Sequence, residues 1–198
     1  MNKLLIAMTI ILILTALALG SYLFLSTGRV SVPVRIQDPA GTPKSYASPE
    51  HGIAFTYSSD YYLKELHAAT AQRPQLAIVL VEDAQEHRDL LEGRSAVARD
   101  GPVAITVDAY PNPDRLPAED WVRADANWAA RTSDAAPYAR GTITGITYSW
   151  SGLYEGKSVV ATEGRYAYVF SVTWLEPDDP LLAEFDRLLG TVTFAQVR

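Results

Sequence analysis

Hydrophobic and polar residues follow two different patterns along this chain. The first is an apolar run from Leu4 to Leu25 that contains no charged residue. The second begins near residue 50, where segments with an apolar residue at every second position predict strands, and others with a helical period predict helices. The stretch 27–49 between them contains four prolines. We therefore predict three parts: residues 1–26, 27–49 and 50–198.

The first apolar run is long enough to cross a membrane. At ~1.5 Å per helical residue it spans a bilayer core of about 30 Å. Lys3 precedes it, and a positive charge before the run favours a cytoplasmic N-terminus. Ala18-Leu19-Gly20 resembles a cleavage site, so a cleaved signal peptide is the alternative, although the run continues to Leu25. We expect residues 1–26 to be a membrane anchor or uncleaved signal, with the C-terminal domain outside the cytoplasm.

Residues 27–49 are predicted to be a linker. Proline removes backbone donors and discourages regular structure, and glycine and serine add flexibility. Val30, Val32, Val34 and Ile36 nevertheless alternate with polar or proline positions. This alternation leaves open an additional strand at a sheet edge.

Several strands are predicted in residues 50–198. "IAFTY" and "YYLKEL" flank Ser58-Ser59-Asp60, which predicts a hairpin. In "TITGITYSWS" Ile143 is out of phase with Ile146, which suggests a bulge at Gly145. "RYAYVFSVTW" has aromatic and apolar residues on both faces and is predicted to be a central strand. Further strands are predicted at 74–82, 101–110, 157–163 and 191–197.

Three helices are predicted. Residues 83–94 form a polar segment with Gly93 available as a stop. A second helix around 118–128 would place Trp121 and Trp128 on one face, and these could line a ligand groove or belong to the core. "DDPLLAEFDRLLG" has Asp179 as the N-cap and Gly190 as the C-terminal stop.

The order of "GIAFTYSSDYYLKE", "YVFSVTW" and "FDRLLGTVTF" resembles the PsbP-like family. The resemblance covers roughly 46–197, and its matching positions are packing residues; Tyr57-Ser58-Ser59 stands where the family commonly has Tyr-Pro-Ser. It implies an α+β fold, an antiparallel sheet flanked by helices in an α/β/α sandwich, here preceded by one N-terminal transmembrane helix. It also implies a prokaryotic envelope protein, and it assigns no catalytic residue.

Composition excludes several classes of function. The formal net charge is −6, and a nucleic-acid partner would require a basic surface. There is no cysteine, so disulfides, thiolate catalysis and zinc–thiolate sites are excluded. We therefore expect no nucleic-acid partner.

"SGLYEGKS", residues 151–158, ends like a phosphate-binding loop. That loop requires a glycine where Ser151 stands, followed by a helix, whereas the β-branched "SVV" follows Lys157. We therefore predict a hairpin loop here, and neither a nucleotide nor another cofactor.

Two polar groups are candidate metal sites. Asp83 and His87 would lie at i and i+4 on a helix, a spacing that can hold one metal ion, although a solvated helix face is the alternative. The second group consists of oxygen-bearing residues around a proline-rich loop: Asp108, Asn112, Asp114, Glu119 and Asp120. Their order differs from the order of ligands in a calcium-binding loop.

The chain has no G-x-S-x-G elbow and no S-x-x-K pair, and no catalytic residue is predicted. We expect a membrane-tethered accessory module that binds an envelope or membrane protein and has no catalytic activity. The alternative is a small extracytoplasmic hydrolase whose site is assembled from distant residues, for example around His51 or His67, which lie near predicted strand ends. An exposed apolar patch would favour the first hypothesis, and a hydrogen-bonded nucleophile, base and orienting group would favour the second.

Overall fold

The computed structural model describes residues 41–66, 74–95, 101–124 and 131–195. The predicted anchor and most of the predicted linker, including the alternating segment 30–36, lie outside these residues. Within the described ranges, no helix combines the length and the apolar character needed to span a membrane.

The described residues form ten strands and three helices. The strands are β1 Lys44–Ser48, β2 Ile53–Tyr57, β3 Tyr61–Leu66, β4 Leu76–Glu82, β5 Ile105–Pro111, β6 Ala136–Arg140, β7 Ile143–Ser151, β8 Glu155–Glu163, β9 Tyr166–Trp174 and β10 Thr193–Phe194. The helices are α1 Gln85–Leu91, α2 Ala118–Ala124 and α3 Pro180–Leu189.

The strands form two sheets. The small sheet has the order β1-β2-β10, and the large sheet has the order β3-β4-β5-β9-β8-β7-β6. Neighbouring strands are antiparallel throughout both sheets. The predicted α+β class with an antiparallel sheet is therefore confirmed, and β9 has the predicted central position.

The inner face of the large sheet packs against the small sheet and α3. Phe170 and Tyr168 of β9 lie on this face and are fully buried beside Phe185 of α3 and Phe55 of β2. Helix α3 begins as predicted, because the Asp179 side chain accepts a hydrogen bond from the Leu181 amide at 2.9 Å. Burial of these large rings accounts for much of the apolar surface removed from water.

The outer face of the large sheet is covered in part by α2. Trp121 and Val122 of this helix pack on Val160 of β8 and Val169 of β9. The α1 helix has no buried residue and lies at the β3 edge, where the Arg88 guanidinium is 5.3 Å from the Tyr62 ring centre. Helices thus flank both faces of the large sheet, and the small sheet shares the inner layer with α3.

The predicted hairpin of "IAFTY" and "YYLKEL" is wrong, because β2 and β3 belong to different sheets. The Ser58-Ser59-Asp60 segment is a corner at which the chain leaves one sheet and enters the other. The Ser58 amide donates a hydrogen bond to Glu184 of α3 at 2.8 Å. This contact with a distant helix holds the corner in place.

Three local assignments also change. Ile143 is out of phase with Ile146 because the two residues face opposite sides of β7, which continues through Gly145 in regular register with β6. Strand β1 lies inside the predicted linker, where Tyr46 stacks on Phe55 at 5.2 Å. Strand β6 was not predicted, because its exposed sequence "APYAR" lacks apolar alternation.

Candidate docking surface

The β7–β8 hairpin presents a leucine to solvent. Ser151 pairs with Glu155 across this hairpin, and the Gly152 amide donates to the Tyr154 carbonyl at 3.0 Å. Leu153 is therefore held at the tip of a three-residue loop, and 66% of its surface is exposed. The predicted hairpin at "GLYEG" is confirmed, and its tip lacks the polar residue that a solvated turn usually carries.

A second exposed leucine lies at the same end of the large sheet. Trp174, the last residue of β9, pairs with Glu155, the first residue of β8. Leu175 follows directly and is also 66% exposed. Half-buried Tyr154 donates a hydrogen bond to the Gly101 carbonyl, which fixes the hairpin against the segment before β5. We call Leu153 and Leu175, with the half-buried Tyr154 and Trp174, the leucine end.

Carboxylates surround the leucine end. Glu155, Glu176 and Asp178 are exposed at or directly after the two strand ends. The Glu155 carboxylate accepts a hydrogen bond from the Ser151 hydroxyl at 3.0 Å, which orients it beside the hairpin tip. Lys157 lies two residues into β8 and is half-buried. An apolar centre with an acidic rim is the typical anatomy of a protein-binding surface.

The hydrolase alternative has one candidate pair, Ser48 and His51. The Ser48 hydroxyl lies 2.9 Å from His51 Nδ1, and both residues are buried. In a serine hydrolase the imidazole contacts the nucleophile through one nitrogen and an acidic group through the other. Among the described residues no carboxylate bonds to His51, and the pair closes the turn between β1 and β2. This contact stabilises a turn and lacks the orienting group of a catalytic site.

Asp83 and His87 do not form the predicted helical pair. Helix α1 begins at Gln85, so Asp83 precedes it. The Asp83 carboxylate pairs with Arg88 and lies 3.8 Å from Lys44 Nζ, and these charges lower its pKa. His87 Nδ1 lies 3.1 Å from the Glu82 carbonyl oxygen instead. The Asp83 carboxylate is thus paired with Arg88 and Lys44, whereas His87 contacts a backbone carbonyl. Asp83 and His87 therefore have different partners.

The oxygen-rich group around residue 112 is dispersed by the fold. Buried Asn112 bonds through its amide to both backbone groups of Leu116, at 2.9 and 3.0 Å. Glu119 and Asp120 both pair with Arg123. In the described parts of the chain, no three histidine or acidic side chains are placed to hold a metal ion.

Two further sequence candidates belong to the packed structure. The Ser158 hydroxyl of "GKS" bonds to Trp150 Nε1 at 2.9 Å and lies 2.8 Å from the Ser171 hydroxyl, within β8 rather than at a helix start. Trp121 is buried and packs on Tyr110 at 5.4 Å, which confirms the core interpretation for this residue. Trp128 and His67 lie outside the described residues.

The leucine end was missed because the sequence shows residue type and not exposure. Leu153 is flanked by Gly152 and Tyr154 in a predicted loop, and an apolar residue in a short loop is a signal that could have identified it. Leu175 adjoins the predicted strand and reads as its next apolar position. Only the pairing of β8 with β9 brings the two leucines to one end.

The chain matches no family model and no curated protein. Its fold is similar to the solution structure of cyanobacterial PsbP from Synechocystis sp. PCC 6803, with 14% identity, a TM-score of 0.49, and coverage of 85% of this chain and 100% of that one. It is also similar to the crystal structure of a protein from Bacteroides thetaiotaomicron VPI-5482, with 13% identity, a TM-score of 0.47 and coverage of 77% of this chain. The chain spans about half of that protein, 48%. At these values neither structure carries a function across.

Proposed function

We propose that this chain is a membrane-tethered, extracytoplasmic module that binds an envelope protein through the leucine end and catalyses no reaction. The observation that carries the proposal is the exposure of Leu153 and Leu175, each 66% exposed at one end of the large sheet. Isolated exposed leucines are common on soluble proteins. Two of them at neighbouring strand ends, each next to an aromatic residue in the chain, favour a docking surface.

The charge around the leucines indicates the chemistry of the partner. Glu155, Glu176 and Asp178 form an acidic rim, so the complementary surface would present apolar residues surrounded by lysine or arginine. A second copy of this chain would bring the same carboxylates together, and like charges across an interface oppose association. Complementarity therefore favours a different protein with a basic rim.

A tether is compatible with a small interface. Confinement at a membrane raises the effective concentration of the module near its partner, so an affinity near micromolar, about −8 kcal/mol, is sufficient. The proposed anchor is the apolar run from Leu4 to Leu25. Cell fractionation with intact-mass measurement tests it, and a soluble protein beginning at Ser21 would overturn the tether.

Photo-cross-linking in intact cells tests the docking surface. p-Benzoylphenylalanine replaces Leu153 or Leu175 in the full chain, and replaces Glu163, exposed at the opposite end of β8, in the control. We expect the same envelope protein to be captured from the first two positions and not from the third. Mass spectrometry identifies the protein, and its purified form is used to measure affinity for the full chain.

Variants then separate docking from folding. Leu153→Ser combined with Leu175→Ser should weaken the measured affinity at least about tenfold while leaving the melting temperature within a few degrees, because both side chains are exposed. Glu155→Lys combined with Glu176→Lys should slow association, more strongly at low salt. Equal capture from position 163, or unchanged affinity in the leucine variant, contradicts the proposal.

Enzyme assays test the alternative hypothesis that the chain is a hydrolase. The full chain is assayed against ester, peptide and phosphate substrates together with Ser48→Ala and His51→Ala. We expect no turnover above a buffer control. Turnover that disappears in either variant would replace the binding proposal with catalysis at the β1–β2 turn.

A further inference from the structure

Part of the outer face of the large sheet lies beside α2 rather than beneath it. Helix α2 packs over β7 and β8 and reaches Val169 in the first half of β9. Helix α1 contacts the opposite edge, at Tyr62 of β3. Between these helices lies a strip formed by β4, β5 and the second half of β9, which no helix of the described ranges covers and which is about 10 Å wide at ~4.8 Å between strands. Ala77, Val79, Thr106, Asp108 and Ser171 of this strip are half-buried, whereas Val160 and Val169 beneath α2 are fully buried.

Asp108 lies in the middle of this strip. It is on β5, where it pairs with Ala77 of β4 on one side and Val169 of β9 on the other. Its neighbour on the same face, Thr106, pairs with Val79 and Ser171. The half-buried Asp108 carboxylate therefore has Ala77 and Val169 as cross-strand neighbours, and Thr106 and Tyr110 beside it on the same face of β5.

The Asp108 carboxylate has no partner of its own. Across the described residues, no hydrogen bond or ion pair reaches it. The cation on this face of β3, Lys64, is already bound by Glu92 at 2.9 Å, and the charged residues of α2 pair with one another. Burial alone raises the pKa of the Asp108 carboxyl to about 7.

An unpaired carboxylate in this position opposes folding. Burying a charge without a compensating partner costs free energy, and asparagine or threonine at the same position would avoid that cost. A desolvated carboxylate with a perturbed pKa is a candidate for a functional site. Asp108 is thus better explained by binding than by stability.

We propose that the strip around Asp108 binds a small organic cation, an amine, amidine or guanidine joined to an apolar body, with Asp108 as the counter-ion. The carboxylate would accept charge-assisted hydrogen bonds from the cationic group. Ala77 and Val79 would contact the apolar body, and the Thr106 hydroxyl offers a further polar contact. The width of the strip, bounded by two helices, favours a small ligand over a folded protein.

Benzamidine is a suitable probe, because benzamide has the same shape without the charge and benzoate has the opposite charge. Binding of each to the full chain, kept in a mild non-ionic detergent, is measured by isothermal titration calorimetry and by ligand-observed NMR at pH 5 and pH 8. We expect benzamidine to bind in the millimolar range, about −4 kcal/mol, at pH 8. Affinity should be at least about tenfold weaker at pH 5, where Asp108 is protonated. Benzamide and benzoate should bind at least about tenfold more weakly than benzamidine at pH 8.

Asp108→Asn is the test variant, and Asp134→Asn, at an exposed position, is the matched control. We expect Asp108→Asn to lose benzamidine binding at least about tenfold while its melting temperature stays equal or rises, and Asp134→Asn to bind like the natural chain. Equal binding of benzamide, retained binding in Asp108→Asn, or no saturable binding below about 10 mM would overturn the proposal. Binding of an arginine-containing peptide without binding of benzamidine would also overturn it, in favour of a protein partner at this strip. The leucine-end variants should leave benzamidine binding unchanged, so the two proposals fail separately.

Discussion

The Tyr168 hydroxyl donates a hydrogen bond to the backbone carbonyl of His51. Tyr168 lies on the central strand β9 of the large sheet, and His51 lies in the turn between β1 and β2 of the small sheet. Both residues are buried, and burial raises the pKa of the Tyr168 phenol to about 12. One phenol thus joins the two sheets and satisfies a carbonyl group that solvent reaches poorly.

Removing this hydroxyl should destabilise the domain. Tyr168→Phe keeps the ring but leaves the His51 carbonyl without its donor, which costs about 1–3 kcal/mol when a buried group stays unsatisfied. Urea denaturation of the full chain in detergent measures the loss. Tyr166→Phe, on the same face of β9, is the control, and we expect a change below about 0.5 kcal/mol. Equal effects of both variants would contradict the assigned role of the hydrogen bond.

The long strands and α3 could be predicted from the sequence because their patterns are local. Strand β9 alternates aromatic residues with small apolar ones. Helix α3 has an N-cap residue, an apolar face and a glycine at its C-terminal end. The pairing of β2 could not be predicted, because a hairpin and a corner between sheets have the same local pattern. The distinction depends on Glu184, which binds the Ser58 amide from 126 residues away along the chain.

The candidate surfaces depend on long-range pairing in the same way. Leu153 and Leu175 share one end because β8 and β9 pair in one register, and a shift of register would separate them. Asp108 was grouped with loop oxygens such as Asp114, which follow it closely in sequence. The sheet separates them, since Asp108 lies within β5 between two other strands.

Gly145 is required by the close approach of β7 and β8. A Cβ atom at this position would lie 1.9 Å from the Val160 carbonyl oxygen, which is backbone and has little freedom to move. Gly145→Ala should therefore cost about 3 kcal/mol or more, and denaturant melts measure it. At Gly152, in the hairpin loop, an added Cβ meets nothing within 4 Å. Gly152→Ala should change stability by less than about 1 kcal/mol, and a larger loss there than at Gly145 would disprove this assignment.

Phe170 should be among the most costly core residues to truncate. Its ring is fully buried on the inner face of β9, so Phe170→Ala leaves a cavity and should cost about 3–5 kcal/mol. Lys157→Ala on β8 is the comparison, because its side chain is half-buried and it pairs with Val172 of β9. We expect less than about 1 kcal/mol for this change. A greater loss from Lys157→Ala in the same denaturant melts would contradict the inner-face assignment.

ATP or GTP with magnesium should not stabilise the chain. A phosphate site requires backbone amides at a helix start, whereas Lys157 and Ser158 are paired within β8, and the Ser158 hydroxyl is bonded to Trp150. A ligand at a hundred times its dissociation constant would add about 2.7 kcal/mol, which a thermal melt detects easily. A clear upward shift of the melting temperature that Lys157→Ala abolishes would restore the nucleotide hypothesis.

Asp108 should make the stability of the domain depend on pH between about 4 and 7. Its folded pKa is raised from 3.8 to about 7, so the folded chain binds a proton more tightly than the unfolded chain in this window. The stability associated with proton binding at Asp108 is fully present below the unfolded pKa of 3.8 and is lost as the pH rises through the folded pKa of about 7. Asp108→Asn removes this pH dependence and should be more stable than the natural chain by about 1–2 kcal/mol at pH 8. The expected difference is this small because solvent screens the partly exposed carboxylate.

Below pH 4 the two chains should have nearly equal stability, because Asp108 is then protonated in both the folded and unfolded states. Urea denaturation of Asp108→Asn and of the Asp134→Asn control at pH 4, 6 and 8 measures the difference at each pH. Asp83, whose pKa is lowered by the hydrogen bond from Arg88, titrates below this window and contributes equally to all three chains. The comparison therefore isolates Asp108. A constant difference across the three pH values would show that folding does not shift the Asp108 pKa, which would contradict the desolvated, unpaired carboxylate on which the ligand proposal rests.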